Sequence, residues 1–205
     1  MSRFFLISAL FAASVPAQPT ANGPVLILIG PPGSGKSTQA KAAADVLKIP
    51  IISAEEMIAS NPAAFEKHKQ AGITGMNPRT DPVLNEIFAA LVESGKYRNG
   101  FILDGYPATK DHADYVRKMV NDGRIPNPLI VRLEISDEAL RKRLGKKADE
   151  TFEQLLKDYH RELDMMDVYF PGSRAIAIDA TGTPAQVTER IRKALSEIAP
   201  GNHAG

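Results

Sequence analysis

Five short stretches of the chain are apolar at almost every position. They are PVLILIG from Pro24 to Gly30, IPII from Ile49 to Ile52, GFILD ending at Asp104, PLIVRLEI ending at Ile135 and RAIAID ending at Asp179. Strands buried on both faces of a parallel sheet read this way, because neither face needs a polar residue. Between them the apolar positions recur every three or four residues. Val83, Leu84, Ile87, Phe88 and Leu91 make one such stripe; His112, Tyr115, Val116 and Met119 make another. Phe152, Leu155, Leu156, Tyr159 and Leu163 form a third, and Val187, Ile191 and Leu195 a fourth. Each predicts a helix with one buried face. A further helix is expected over Lys36 to Leu47, directly behind the first strand. Strands alternating with helices predict an α/β fold, a parallel sheet with helices on both faces, whose ligands lie beyond the carboxyl ends of the strands. The loops after Ile29, Ile52, Leu103 and Ile135 are therefore where chemistry is expected.

Composition narrows this picture. With 205 residues, 43% hydrophobic and 24% charged, the chain fits one domain around one core, expected over residues 24–199 and as a monomer. Lys plus Arg number 25 and Asp plus Glu 24, so no overall field draws the protein to nucleic acid or to an anionic membrane. A bound anion has to be held by a local site. The absence of cysteine excludes disulfides, thiolate metal sites and thiol catalysis. His68, His112, His160 and His203 lack zinc-ligand spacing; EKHKQ around His68 reads as a solvated helix face, and His160 as a surface or interface side chain. The start of the chain has the pattern of a secretory signal peptide: Arg3, the apolar run FFLISALFAA, then small residues up to an expected cleavage after Ala17. Export of a mature chain with no membrane span is the expectation from that pattern, with a cytoplasmic location as the alternative. Residues 18–23 are expected to be a linker and 200–205 a flexible tail.

The most specific signal is GPPGSGKST, from Gly30 to Thr38. Gly30, Gly35, Lys36 and Ser37 fit G-x-x-x-x-G-K-[ST] in the context that gives this pattern meaning, behind a strand and ahead of a helix. Gly33 and Gly35 let backbone N–H groups turn toward phosphate oxygens, and the following helix adds the positive end of its dipole. Lys36 would reach the β- and γ-phosphates of ATP and Ser37 would ligate Mg2+. Ser34 and Thr38 complete the expected ATP-binding set.

Three further stretches carry a family resemblance. GPPGSGKSTQA, IISAEEMI and NGFILDGYPAT occur in the order and spacing of adenylate kinases and related nucleoside monophosphate kinases, and EISDEALRKRL resembles the segment leading into their lid. The resemblance runs from Pro24 to about Ile198. It implies a five-stranded parallel sheet of the P-loop kinase type, with an NMP-binding insert over residues 53–96 and a shortened lid over 144–151. It also implies that Asp104 organises magnesium and that Arg143 packs on the ATP base; Lys36, Arg143 and Asp104 are the implied catalytic residues. Ser53, Gly105 and His112 would face the acceptor nucleotide, His112 standing where the family carries a base-recognising glutamine. Without the resemblance, Arg143 reads as a solvated charge on a basic helix face.

Several arginines of that family are missing. Ala108 and Ala59 stand where two arginines for the acceptor phosphate are expected, Leu155 replaces another, and the lid shrinks to GKKADE, in which Lys147 is the candidate substitute. Removing a donor from a site that stabilises developing negative charge costs about a hundredfold to a thousandfold in rate, so activity is expected to be low unless other cations take over. Arg79 is the candidate replacement at the acceptor side; the alternative is a turn residue between Pro78 and Pro82. Lys69 and Lys110 also fall in segments expected to border the acceptor. Three readings stay open: a nucleoside monophosphate kinase using MgATP, a P-loop kinase with a non-nucleotide acceptor, and a nucleotide-binding protein with weak or lost catalysis.

Overall fold

A computed structural model of the chain describes residues 20–72, 77–145 and 152–197. The expected signal peptide, the tail, most of the short lid and Lys147 lie outside the described residues. Five parallel strands form one sheet: β1 (Val25–Ile29), β2 (Ile51–Ser53), β3 (Phe101–Asp104), β4 (Leu129–Glu134) and β5 (Ala175–Asp179), in the order β2-β3-β1-β4-β5. The first strand is thus the central one, with Leu28 opposite Asp104 of β3 and Ile29 opposite Arg132 of β4.

All five residues of β1 are buried, as its unbroken apolar run requires. Their side chains alternate between two cores. Val25, Ile27 and Ile29 pack with Leu103 and Phe101 of β3 and with Val83, Leu84, Phe88, Val116 and Met166. Leu26 and Leu28 pack on the other side with Ala40, Ala43, Val187, Ile191 and Leu195. Helices α1 (Lys36–Leu47) and α8 (Pro184–Ser196) cover this second face. Helices α4 (Val83–Glu93), α5 (Lys110–Asn121) and α7 (Phe152–Tyr169) cover the first. The apolar stripes read from the sequence supply most of the buried faces of α4, α5 and α8, with Val92 and Ala113 buried beside them and Leu91 and Tyr115 only partly covered. Of the stripe on α7 only Phe152 is fully buried, and Met166 and Tyr169 complete that helix's buried residues.

The remaining helices belong to the connections. Between β2 and α4 lie α2 (Ala54–Ser60), α3 (Pro62–Gln70) and a 3-10 turn (Pro78–Thr80); α6 (Asp137–Leu144) follows β4. Several helix starts are written in the sequence. Thr183 and Gln186 form a capping box on α8, and Ser136 accepts from the Ala139 N–H of α6 at 3.3 Å. The connections after β1, β2, β3 and β4 all leave from the carboxyl edge of the sheet, where the site is found.

One expectation about the insert is corrected here. His68 is not on a solvated face: it is buried, its Nδ1 lies 3.2 Å from Asp81 Oδ1, and its Nε2 lies 3.5 Å from Glu86. Asp81 in turn caps α4 by accepting from the Val83 N–H at 2.9 Å. A buried carboxylate has to be satisfied, and His68 and the cap satisfy this one.

Candidate active site

Between β1 and α1 the chain turns through Gly33 (φ +85°) and Gly35 (φ +95°), left-handed conformations that side chains rarely adopt. Gly30 is needed for space rather than for φ: a Cβ there would sit 2.8 Å from Ser34 Oγ and 2.9 Å from Leu133 Cβ. Ser34 is buried with no partner for its Oγ among the described residues, while Ser37 and Thr38 stand exposed on the first turn of α1. Lys36, the first residue of α1, donates from Nζ to the Gly30 carbonyl, so the ammonium closes over the loop. Burial lowers its pKa; the carboxylates of Glu162 and Asp104 oppose that shift, and the Arg79 charge adds to it.

Lys36 opens into a cleft of about 750 Å³. Its walls are the P-loop, with Gly30 and Pro32; the 3-10 turn, with Asn77, Arg79 and Thr80; the loop after β3, from Gly105 to Lys110; and one side of α7. On α7 the residues Asp158, Glu162, Met165 and Tyr169 face the cleft at helical spacing, joined by Tyr159, Arg161 and Asp164. Gly105 (φ +73°) brings the backbone close to Arg79: a Cβ at Gly105 would lie 3.5 Å from a guanidinium nitrogen of Arg79. Arg79 is therefore more than a turn residue. It lines the cleft and pairs with Glu55 of α2.

Arg143, at the end of α6, is not a free surface charge. Its guanidinium donates to the carbonyls of Gly33 (3.1 Å) and Ser34 (3.4 Å) in the P-loop, and to those of Ala180 (2.9 Å) and Gly182 (3.1 Å) after β5. The in-plane N–H groups are used on backbone, which leaves the flat faces for stacking on an aromatic ring. Asp104 is buried at the end of β3, and its carboxylate makes no hydrogen bond or ion pair among the described residues.

Two acceptor-side expectations do not fit. His112 is 0% exposed: its Nε2 lies 3.1 Å from the Asp81 carbonyl, the Ala108 N–H donates to its Nδ1 at 3.4 Å, and its ring packs on Tyr106 at 5.0 Å. It ties the insert to the loop after β3 and does not face the cleft. Ser53 accepts from the Glu56 N–H at 3.4 Å as the N-cap of α2 and borders a separate recess of about 90 Å³. Lys110 does line the cleft, as does Ala108.

Glu162 was not singled out by the sequence. It is half-buried, makes no ion pair or hydrogen bond among the described residues, and has its pKa pushed up to about 7. Burial is the main cause; the Lys36 charge opposes it and the Asp104 carboxylate adds to it. The raised pKa makes stability fall as pH rises from about 4.5 to about 7, because the folded state holds a proton that the unfolded chain releases. His112, whose pKa burial lowers, acts the other way below its ordinary 6.5. The Tm of Glu162→Gln minus that of the wild type should therefore rise across the same window in thermal melts; a flat difference would contradict this assignment.

The residues suit a magnesium nucleotide. Mg2+ takes oxygen ligands and keeps most of its shell from water and phosphate, so one or two protein oxygens suffice. The exposed Ser37 hydroxyl and the Asp104 carboxylate, which has no partner among the described residues, would supply them, although no cluster of three or more His, Cys, Asp or Glu is placed for a metal among those residues. When bound, the ion neutralises charge on the phosphates. Among the described residues no helix is long and apolar enough to cross a membrane.

A central parallel strand feeding a GxxxxGKS turn and a helix, within a five-stranded parallel sheet covered by helices on both faces, defines a P-loop kinase fold. The family model of adenylate kinase matches residues 28–173, and the chain belongs to the adenylate kinase family. The adenylate kinase of Micrococcus luteus is 32% identical over 188 residues, covering 84% of this chain and 91% of its own. That of Chelativorans sp. is 29% identical over 191 residues, covering 84% and 98%. Among solved structures, a gluconokinase from Sinorhizobium meliloti 1021 superposes with a TM-score of 0.51 at 20% identity, over 86% of this chain and 93% of its own, a likeness of fold.

Proposed function

We propose that the protein is an ATP-dependent phosphotransferase of the adenylate kinase type, passing the γ-phosphoryl group of MgATP in line to a small acceptor in the cleft. The observation that carries this reading is the opening of Lys36, from an intact P-loop, into the same cleft as Gly105 and Arg79. The donor would be cradled by residues 30–38, with Arg143 against its base and with Ser37 and Asp104 toward magnesium. No covalent intermediate is needed, since such transfer is achieved by positioning and by neutralising charge.

Family membership favours AMP or a related nucleoside monophosphate as the acceptor. In that reading Arg79 holds the acceptor phosphate in place of arginines absent at Ala59 and Ala108. Arg79→Ala should then raise the KM for AMP about 10- to 100-fold, the worth of a charge-assisted hydrogen bond. An unchanged KM would remove Arg79 from the site. A second reading, a non-nucleotide acceptor, is favoured by a different observation: both arginines that line the cleft already have carboxylate partners, Arg79 with Glu55 and Arg161 with Asp158 at 3.0 Å. A coupled assay of MgATP against AMP on the purified protein tests the first reading directly. Turnover supports it; ATP binding without turnover moves the acceptor to the second.

A further inference from the structure

Resting on the phosphotransferase reading with a non-nucleotide acceptor, we infer that Glu162 is a catalytic base and that the acceptor is a small neutral molecule bearing a hydroxyl group, of the polyol or sugar class. The first support is placement. Glu162 lines the same cleft as Lys36 and Gly30 of the P-loop and Gly105, and the charges of Lys36 and Asp104 act on it. The second is its lack of partners: no guanidinium or ammonium pairs with it, and no N–H or O–H donates to it among the described residues. A half-buried carboxylate at this point has no structural duty that its neighbours record.

The two acceptor classes ask opposite things of that position. A phosphate acceptor arrives already ionised, needs no base, and is repelled by a carboxylate beside the transfer point. A hydroxyl arrives neutral and has to lose its proton as it attacks. In the inferred step, the acceptor oxygen bonds to the γ-phosphorus while its proton passes to the Glu162 carboxylate. The bond from the γ-phosphorus to the β,γ-bridging oxygen breaks, its electron pair leaving on ADP. The products are a phosphomonoester, ADP and a protonated Glu162 that returns its proton to water. A carboxyl whose protonated and ionised forms lie close in free energy, as burial makes this one, suits that exchange. The rest of the cleft agrees. Asp164 presents a further carboxylate, which accepts hydrogen bonds from hydroxyls; the cations Arg79 and Arg161 on the same walls are paired with Glu55 and Asp158, and Ala108 adds no charge to the rim.

The test is phosphoryl transfer from MgATP to glycerol, ribose, glucose and adenosine, with AMP alongside, read by phosphorus NMR as a new phosphomonoester. The wild type is expected to phosphorylate a hydroxyl acceptor. Glu162→Gln is expected to lower kcat for it by about a hundredfold to ten-thousandfold, with the Kd for ATP unchanged. Transfer to AMP but to none of the hydroxyl acceptors overturns the inference and leaves the phosphotransferase reading standing. Transfer to a hydroxyl acceptor that survives Glu162→Gln overturns the role of Glu162. Transfer to nothing, with ATP still bound, overturns both the inference and the proposed function. Because the substitution is isosteric and removes a charge that burial disfavours, the variant should fold at least as well as the wild type above pH 7, which the thermal melts check.

Discussion

Lys36→Ala is expected to reduce phosphoryl transfer from MgATP by about a hundredfold to a thousandfold, whatever the acceptor. Lys36 stands where α1 begins, between the two glycines that turn the loop and the cleft in which transfer would take place. Its Nζ is held at the Gly30 carbonyl, so the ammonium is already positioned before any phosphate arrives. Such prepositioned charge costs no reorganisation during the reaction, which is why its removal shows in kcat. Glu162 and Asp104 both act to keep the amine protonated against the effect of burial. Removing it leaves those two carboxylates facing the incoming γ-phosphate with no charge from α1 between them. Alanine is a better helix former than lysine at the same position, so the fold should survive. Steady-state turnover with whichever acceptor the transfer assay identifies, beside a thermal melt, measures both. Turnover within a few-fold of the wild type would mean that the P-loop does not hold the donor.

Phe88→Ala is expected to cost about 3–5 kcal/mol of stability, the usual range for emptying a buried aromatic site. Phe88 is 0% exposed on α4 and meets two rings, Phe101 of β3 edge-on at 5.9 Å and Tyr106 at 5.1 Å. These contacts join three things that chemistry needs in register: the helix ending the insert, the strand that carries Asp104, and the loop that forms the cleft rim. Tyr106 also donates to Asn85 Oδ1 of α4 at 2.7 Å, so the rim hangs from that helix by a ring contact and a hydrogen bond. For a chain of this size each kcal/mol lowers Tm by roughly 2–4 °C, giving a fall of about 6–20 °C. Phe88→Leu keeps most of the apolar volume and should cost less than half as much. Thermal melts of the two variants decide this; equal losses would mean that ring stacking, not filled volume, holds the insert.

The sheet was readable because strands buried on both faces leave unbroken apolar runs, and because Gly30 punctuates the end of the first of them. The family relation, read from the Asp104-Gly105-Tyr106-Pro107 stretch, is matched by a family model over residues 28–173. The insert was harder to read. Its helices α2 and α3 are short and largely polar, and the partners of His68 lie 13 and 18 residues further along, so no local period marks that residue for burial. His112 teaches the opposite lesson. Periodicity put it on the apolar stripe with Val116 and Met119, and the structure buries it there; resemblance to a glutamine position pointed it at the acceptor instead. The local pattern was the better guide, because the Asp81 carbonyl reaches it from the insert and supplies what a solvent-facing ring would not need. Glu162 carries no signal in the sequence for a third reason: the charges that act on it, Lys36 and Asp104, are brought near it only by the folded sheet.

The order β2-β3-β1-β4-β5 has a consequence for how the protein is made. The strand that emerges first, β1, becomes the middle of the sheet, and both its neighbours are encoded much later, β3 ending at Asp104 and β4 at Glu134. At synthesis rates of about 5–20 residues per second, β1 waits roughly 4–15 s before its nearer partner exists. During that wait the nascent chain displays five consecutive aliphatic residues with every backbone group unpaired, a segment that sticks to others of its kind. A chaperone that covers Val25–Ile29 until β3 leaves the ribosome would therefore be expected to raise the yield of folded chain.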